Sequence, residues 1–126
     1  MSDRVYQFDC TTTTFGTGNC TNFPNVNAYN ADFDFACAEG SVQGVSSYYS
    51  DSEKDRQFTF VCCNLDGYTL GLCTTSDYIN DWQETYSYTI QNGTAIRGVQ
   101  NSFNNTLKDR RWKIETCSIE SVNEPC

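Results

Sequence analysis

Apolar and polar residues alternate along much of this chain, with the period of two that β-strands require. The clearest run places Arg56, Phe58, Phe60 and Cys62 on one face of a strand and mostly polar residues on the other face. The pattern predicts that the aromatic face is buried and that the arginine lies at its edge.

The chain also repeats itself, without a gap, at a spacing of 54 residues. Residues 42–45 (VQGV) align with residues 96–99 (IRGV), and residues 54–56 align with residues 108–110, both KDR. The faces equivalent to that of Phe58 are Arg4, Tyr6, Phe8 and Cys10, and Arg110, Trp112, Ile114 and Thr116. We therefore divide the chain into a partial repeat at 1–10, full repeats at 32–63 and 85–117, and a tail at 118–126.

Each full copy predicts an antiparallel β-hairpin. The first strand carries the Val/Ile-x-Gly-Val motif, and a polar loop of about five residues follows at 50–54 or 104–108. The second strand begins at the Asp-Arg pair and ends at the cysteine. The sequence therefore predicts an all-β single domain over residues 1–126, built from antiparallel hairpins with an approximate internal threefold repeat.

Alternating aromatics predict further strands at residues 32–36 and 84–90, and Asn92-Gly93 predicts a turn after the second of them. Residues 20–30 and 64–80 are predicted to be loops held by disulfides. No amphipathic helix of useful length is present in the sequence.

Eight cysteines are spread along the chain, an even number in 126 residues. There is no Cys-x-x-Cys pair and no histidine, so the spacing does not suit zinc. Scattered cysteines at this density are typical of disulfides formed in an oxidising compartment. Neighbouring residues of a strand point to opposite faces, so Cys62 and Cys63 should take different partners.

The net charge is −8, which argues against nucleic acid as a partner and permits basic partners or cations. The absence of histidine excludes Ser-His and Cys-His catalytic arrangements. Asp51, Glu53 and Asp55 cluster, which raises the alternative of a carboxylate-pair glycosidase. The cluster lies in a predicted hairpin loop, where a solvated turn is the favoured interpretation. We therefore predict no enzymatic activity, no cofactor and no metal site.

Asn19, Asn92 and Asn104 each begin an N-glycosylation sequon, which supports a secreted, extracellular glycoprotein. No signal peptide is visible, as expected of a mature form. No stretch is long and apolar enough to span a membrane, and the negative charge disfavours membrane insertion.

The pattern Asp-Arg-x-aromatic-x-(aromatic or Ile)-x-Cys, three times in one chain, resembles the dermatopontin family of tyrosine-rich acidic matrix proteins. The resemblance covers most of the chain. It has departures, since the opening copy lacks its first strand and Tyr6 and Phe58 stand where the family usually has tryptophan. The chain also has fewer cysteines than vertebrate members, so we interpret it as a divergent, invertebrate-type member.

The resemblance also implies a disulfide pairing. The implied bonds are Cys20–Cys62, Cys37–Cys63 and Cys73–Cys117. Cys10 and Cys126 remain, and we pair them with each other.

The Asp-Arg pairs allow two interpretations. Either they begin strands and close the aromatic core, or they form repeated Arg-aromatic edges that bind sugars or sulfate. The residues concerned are Asp3, Arg4, Asp55, Arg56, Phe58, Asp109, Arg110 and Trp112. A motif that also defines the fold is usually structural, so we favour the first interpretation.

The resemblance implies a secreted adhesion or recognition protein whose partners are extracellular matrix proteins, proteoglycans or cell-surface glycans. The alternative is a lectin-like agglutinin that recognises glycans, and agglutination would require oligomers or several sites. A third alternative, a cytolytic toxin, is disfavoured by the charge.

Overall fold

The structure is a computed structural model that describes Tyr6 and residues 17–121. Within these residues it contains seven β-strands and no helix. The strands are β1 (Thr17–Phe23), β2 (Phe33–Ala36), β3 (Ser41–Ser50), β4 (Asp55–Leu65), β5 (Tyr68–Thr75), β6 (Thr94–Asn104) and β7 (Asp109–Ser121). The predicted all-β class is confirmed.

The strands form two antiparallel sheets, with the strand orders β1-β4-β3 and β2-β6-β7-β5. The hairpins β3–β4 and β6–β7 are those predicted by the repeat, and their second strands begin at Asp55 and Asp109. Each hairpin turn ends in a lysine with left-handed backbone, φ 57° at Lys54 and φ 52° at Lys108. The two copies therefore share their turn geometry as well as their strands.

The predictions outside the hairpins were partly wrong. β2 forms where a strand was predicted, but residues 84–90 form no strand within the described part of the chain. The predicted turn follows them, with Gly93 at φ 79°. Residues 20–30 and 64–80, predicted as loops, contain much of β1 and all of β5. These two strands pair with the outer edges of β4 and β7, which supply hydrogen-bond partners that the local sequence does not reveal.

The core centres on three aromatic rings from equivalent positions of the repeat. Tyr6, Phe58 and Trp112 meet edge to face, with ring centroids 5.6, 5.8 and 5.0 Å apart. This geometry brings the positive edge of one ring towards the negative face of the next. Phe60 and Ile114, two residues further along β4 and β7, are also buried. The core face was therefore predicted correctly, and the three rings reflect the approximate threefold repeat.

A buried asparagine precedes each hairpin and holds its second strand in place. Asn27 and Asn80, 53 residues apart in sequence, are both 4% exposed. The side chain of Asn27 accepts the Phe58 N–H at 2.8 Å and donates to the Arg56 carbonyl at 3.0 Å. Asn80 makes the equivalent bonds to β7 at 2.9 and 3.0 Å. The structural repeat thus begins upstream of the segments that align in sequence.

The described disulfides are Cys20–Cys63, Cys37–Cys62 and Cys73–Cys117. Cys62 and Cys63 take different partners, as predicted, but the implied pairs Cys20–Cys62 and Cys37–Cys63 were wrong. The register of β1 on β4 decides the outcome, because Cys20 lies opposite Cys63 with the Cα atoms 4.0 Å apart. Thr21 is the residue opposite Cys62, whose side chain lies on the core face and meets the buried Cys37.

The third bond, Cys73–Cys117, agrees with the pairing that the resemblance implied. The pair Cys10–Cys126 lies outside the described residues. The bonded cysteines are 43, 25 and 44 residues apart in sequence. Closing loops of this length stabilises a fold by about 3–4 kcal/mol each in the chain-entropy description.

Candidate ligand-binding site

Arg110 has a structural environment, although its Asp-Arg pair was also a candidate ligand edge. Its side chain is 3% exposed and binds Asp55 at two points, with N···O distances of 3.0 and 2.7 Å. It also donates to the carbonyl oxygen of Ala31 at 2.9 Å and to the side-chain oxygen of Asn101. These bonds engage all three guanidinium nitrogens, so Arg110 offers no surface to a ligand and instead joins the second copy to the third.

A small cavity lies where the Asp-Arg pairs converge. Its volume is about 20 Å³, and its lining includes Lys54, Arg56, Lys108 and Asp109. A space of this size holds about one water molecule and excludes a sugar ring. The cavity therefore gives no support to a ligand edge at these residues.

The remaining residues of that candidate edge are in different positions. Arg56 is half-buried and donates to the Ser47 hydroxyl at 2.7 Å. Phe58 and Trp112 are buried in the ring cluster of the core, so their faces are not available to a sugar. Asp3 and Arg4 lie outside the described residues.

A different group of cationic and aromatic side chains lies on the outer face of β7. We call it the aromatic–cation face and define it by Tyr78, Trp82, Arg111 and Lys113. The guanidinium carbon of Arg111 lies 3.9 Å from the Tyr78 ring centroid and 4.5 Å from that of Trp82. The ammonium of Lys113 lies 4.6 Å from the Tyr78 centroid. Cation–π attraction therefore holds both cations against the rings.

Strand alternation and one irregular segment build this face. Arg111 and Lys113 alternate with buried residues of β7, so they point outwards, as the sequence predicted for the polar side of this strand. The rings come from residues 76–83, which continue along the edge of β7 beyond β5. The N–H groups of Ser76 and Ile79 each donate to a carbonyl of β7 at 2.9 Å. No local sequence signal had marked Trp82.

The two cations of the aromatic–cation face are not neutralised by carboxylates of the described residues. The protein carries 8 Lys and Arg against 16 Asp and Glu, yet neither Arg111 nor Lys113 pairs with a carboxylate among the described residues. The Arg111 Nε is buried and has no hydrogen-bond partner in that part of the chain. By contrast, Lys54 is bound by Asp51 at 2.9 Å, and this hydrogen bond raises the pKa of Lys54.

The face is partly exposed to solvent, and its chemistry suits acidic ligands. Tyr78 is 38% exposed, and its hydroxyl lies 2.9 Å from that of Ser102. Aromatic faces stack against the C–H groups of sugars, and Arg and Lys bind sulfate or carboxylate. The arrangement can therefore contact both parts of an acidic sugar.

The sequon asparagines occupy three settings. Asn19 on β1 and Asn92 in a turn are exposed. Asn104 ends β6, is half-buried, and accepts the Leu107 N–H at 2.9 Å. Glycosylation at these positions stays a prediction.

The described residues contain neither a group of metal-binding side chains nor a helix that could span a membrane. No three His, Cys, Asp or Glu side chains there are grouped so that they could hold a metal ion. No helix in that same part of the chain is long and apolar enough to cross a membrane.

Fold and site together define a class: a disulfide-linked all-β protein of repeated hairpins that presents an aromatic–cation face on one sheet. The family model described as dermatopontin matches residues 1–121, and the chain belongs to the dermatopontin family. The resemblance drawn from the repeated motif is thereby confirmed.

Individual relatives show how divergent this member is. The protein named dermatopontin from Biomphalaria glabrata is 27% identical over 93% of this chain and 79% of its own length. The hemagglutinin/amebocyte aggregation factor of Limulus polyphemus is 27% identical over 94% of this chain and 70% of its own length. Millepora cytotoxin-1 from Millepora dichotoma is 30% identical over 71% of this chain and 40% of its own length. No solved structure matches the chain.

Proposed function

We propose that this protein is a secreted adhesion or recognition protein that binds acidic glycans of the extracellular matrix or cell surface through the aromatic–cation face. The main support is that Arg111 and Lys113 lie against the exposed ring of Tyr78 without a carboxylate partner among the described residues, in a chain of net charge −8. Membership of the dermatopontin family supports the extracellular role. No enzymatic activity forms part of the proposal.

The chemistry selects acidic sugars over neutral ones. The exposed part of the Tyr78 ring offers apolar area to a sugar, while the Arg111 guanidinium offers N–H donors to a sulfate or carboxylate. Lys113 adds a second charge beside the same ring. One contact that uses two cations should be weak, so strong adhesion should depend on several faces engaging one polymer or surface.

A lectin-like agglutinin is the second candidate. It is favoured by the similarity to the Limulus protein, whose name describes it as a hemagglutinin and aggregation factor. The same face would serve, but agglutination requires at least two faces in one particle. A cytolytic role has less support, because the match to Millepora cytotoxin-1 covers 40% of that protein and the charge disfavours membrane insertion.

The test is binding to a surface coated with a sulfated glycosaminoglycan, compared with the same polymer after desulfation. The secreted, disulfide-bonded protein is measured by surface plasmon resonance at 0.15 M salt. Losing one charge-assisted contact should cost about 1–2 kcal/mol, so Arg111→Ala and Lys113→Ala should each weaken binding roughly 5- to 30-fold. Lys54→Ala is the matched control, since it removes the same charge from a site outside the aromatic–cation face.

Two outcomes would contradict the proposal. One is the absence of saturable binding to any acidic glycan by the wild-type protein. The other is an equal loss in Lys54→Ala and Arg111→Ala, which would show that net charge and not the aromatic–cation face determines binding. Circular dichroism of each variant verifies that the fold is intact. Agglutination of cells that carry the bound glycan then distinguishes the agglutinin from a simple adhesion protein.

A further inference from the structure

The two sheets contain the same three-strand unit, but one of them has an additional strand. The repeat aligns β1-β4-β3 with β5-β7-β6, and β2 pairs with the free edge of β6. Within the described residues, nothing pairs with the corresponding edge of β3. Burial reflects this difference, because Gly98 and Val99 are buried whereas their equivalents Gly44 and Val45 remain partly exposed.

A glycine makes room for the additional strand. Ala36 of β2 lies opposite Gly98, and a Cβ at position 98 would come within 2.4 Å of the Phe35 carbonyl oxygen. At Gly44 a Cβ would meet nothing closer than the Val61 side chain at 3.4 Å, an ordinary contact. The edge of β3 therefore has the same space beside its glycine that β2 occupies beside β6. No described strand occupies that space.

We propose that this edge of β3 accepts a strand from a second copy of the protein, supplied by residues 86–89. At a spacing of 53 residues these are the repeat equivalents of β2, with Tyr86 and Tyr88 at the positions of its two phenylalanines. A buried asparagine precedes both segments by six residues. The register of β2 on β6, transferred to β3, places Tyr88 opposite Val45 and Thr89 opposite Gly44.

The edge of β3 and the segment of residues 86–89 are suited to each other. β3 is ten residues long and contains no charged residue and no proline, which are the usual means of blocking an exposed sheet edge. Residues 85–91 are also uncharged, so the net charge of −8 does not place like charges across the contact. Ser87, Tyr88 and Thr89 are exposed. Because donor and acceptor surfaces differ, the contact is heterologous and produces rings or open chains of copies.

The first test is the concentration dependence of the mass of the full, disulfide-bonded chain, measured by sedimentation velocity at 0.15 M salt. The wild-type protein should form species larger than the 14.3 kDa chain as its concentration rises. Gly44→Ala should stay monomeric, because its Cβ would collide with the incoming carbonyl as at Gly98. Its melting temperature should match that of the wild type, which shows that folding is unaffected. A wild-type protein that is monomeric at every concentration, or a Gly44→Ala protein that associates equally well, overturns the proposal.

A second variant tests the donor strand. Cys37 N–H donates to the Arg97 carbonyl, and hydrogen-bonded positions alternate, so Phe35 N–H also faces β6. Tyr88 is its equivalent, and Tyr88→Pro removes that N–H from the exposed donor segment. Alone, this variant should be monomeric. Mixed with Gly44→Ala, it should form dimers and nothing larger, because one variant keeps the donor and the other keeps the acceptor. A mixture that remains monomeric contradicts the strand assignment.

Discussion

Replacing Arg110 by alanine should strongly destabilise the protein, because its side chain is buried and forms an ion pair with the buried Asp55. The substitution leaves the Asp55 carboxylate buried, with the Asn30 N–H at 2.9 Å as a remaining donor, and deprives Ala31 and Asn101 of their donor. Removing one partner of a buried ion pair costs about 3–5 kcal/mol. For a chain of this size a loss of about 4 kcal/mol lowers the melting temperature by roughly 12–20 °C.

The assay is urea denaturation with the disulfides intact, followed by tryptophan fluorescence. Arg97→Ala is the matched control, because Arg97 is 40% exposed and its ion pair with Glu115 is 3.5 Å long. That control should lose less than about 1 kcal/mol. An Arg110→Ala protein that unfolds like the control, but has lost glycan binding, would refute the structural role assigned to Arg110. A double variant that also removes Asp55 should lose less than the sum of the single variants, because neither charge is then left unpaired.

Two further predictions concern the core and the disulfides. Phe58→Ala should lose about 3–5 kcal/mol of unfolding free energy in urea denaturation, since its ring is 1% exposed at the centre of the ring cluster. Tyr48→Ala, at a side chain that is 73% exposed, should change it by less than about 0.5 kcal/mol. Tandem mass spectrometry of the unreduced protein should find Cys20 bonded to Cys63 and no free thiol, and a Cys20–Cys62 peptide would contradict the strand register described above.

Local alternation predicted the hairpins and the core face because both depend on residues close together in sequence. The pairing of Cys20 was decided by the register of β1 on β4, which depends on contacts across the fold. The sequence nevertheless contained a signal for the Cys20–Cys63 bond. Cys73 follows Cys20 by 53 residues and Cys117 follows Cys63 by 54, so the repeat relates Cys73–Cys117 to Cys20–Cys63.

The strand predicted at residues 84–90 shows that a local pattern can also predict a strand that does not form. Its aromatics alternate as those of β2 do, but a strand also requires a neighbour to complete its hydrogen bonds. β2 obtains that neighbour from β6. Among the described residues no strand pairs with residues 84–90, so an equally good pattern forms no strand there. Trp82 escaped prediction for a related reason, since the contacts of residues 76–83 with β7 bring it to the aromatic–cation face.

The aromatic–cation face is not repeated, although the hairpins are. Gln57 and Thr59 of β4 stand at the positions that Arg111 and Lys113 occupy in β7. One chain therefore carries one such face in its two full copies, and it can bind a glycan surface without bridging two of them. Agglutination would then require assembly through the edge of β3. Gly44→Ala should abolish agglutination while leaving the affinity of one chain for the glycan unchanged, whereas Arg111→Ala should reduce both. A Gly44→Ala protein that agglutinates cells at the wild-type concentration would contradict the dependence of agglutination on assembly through β3.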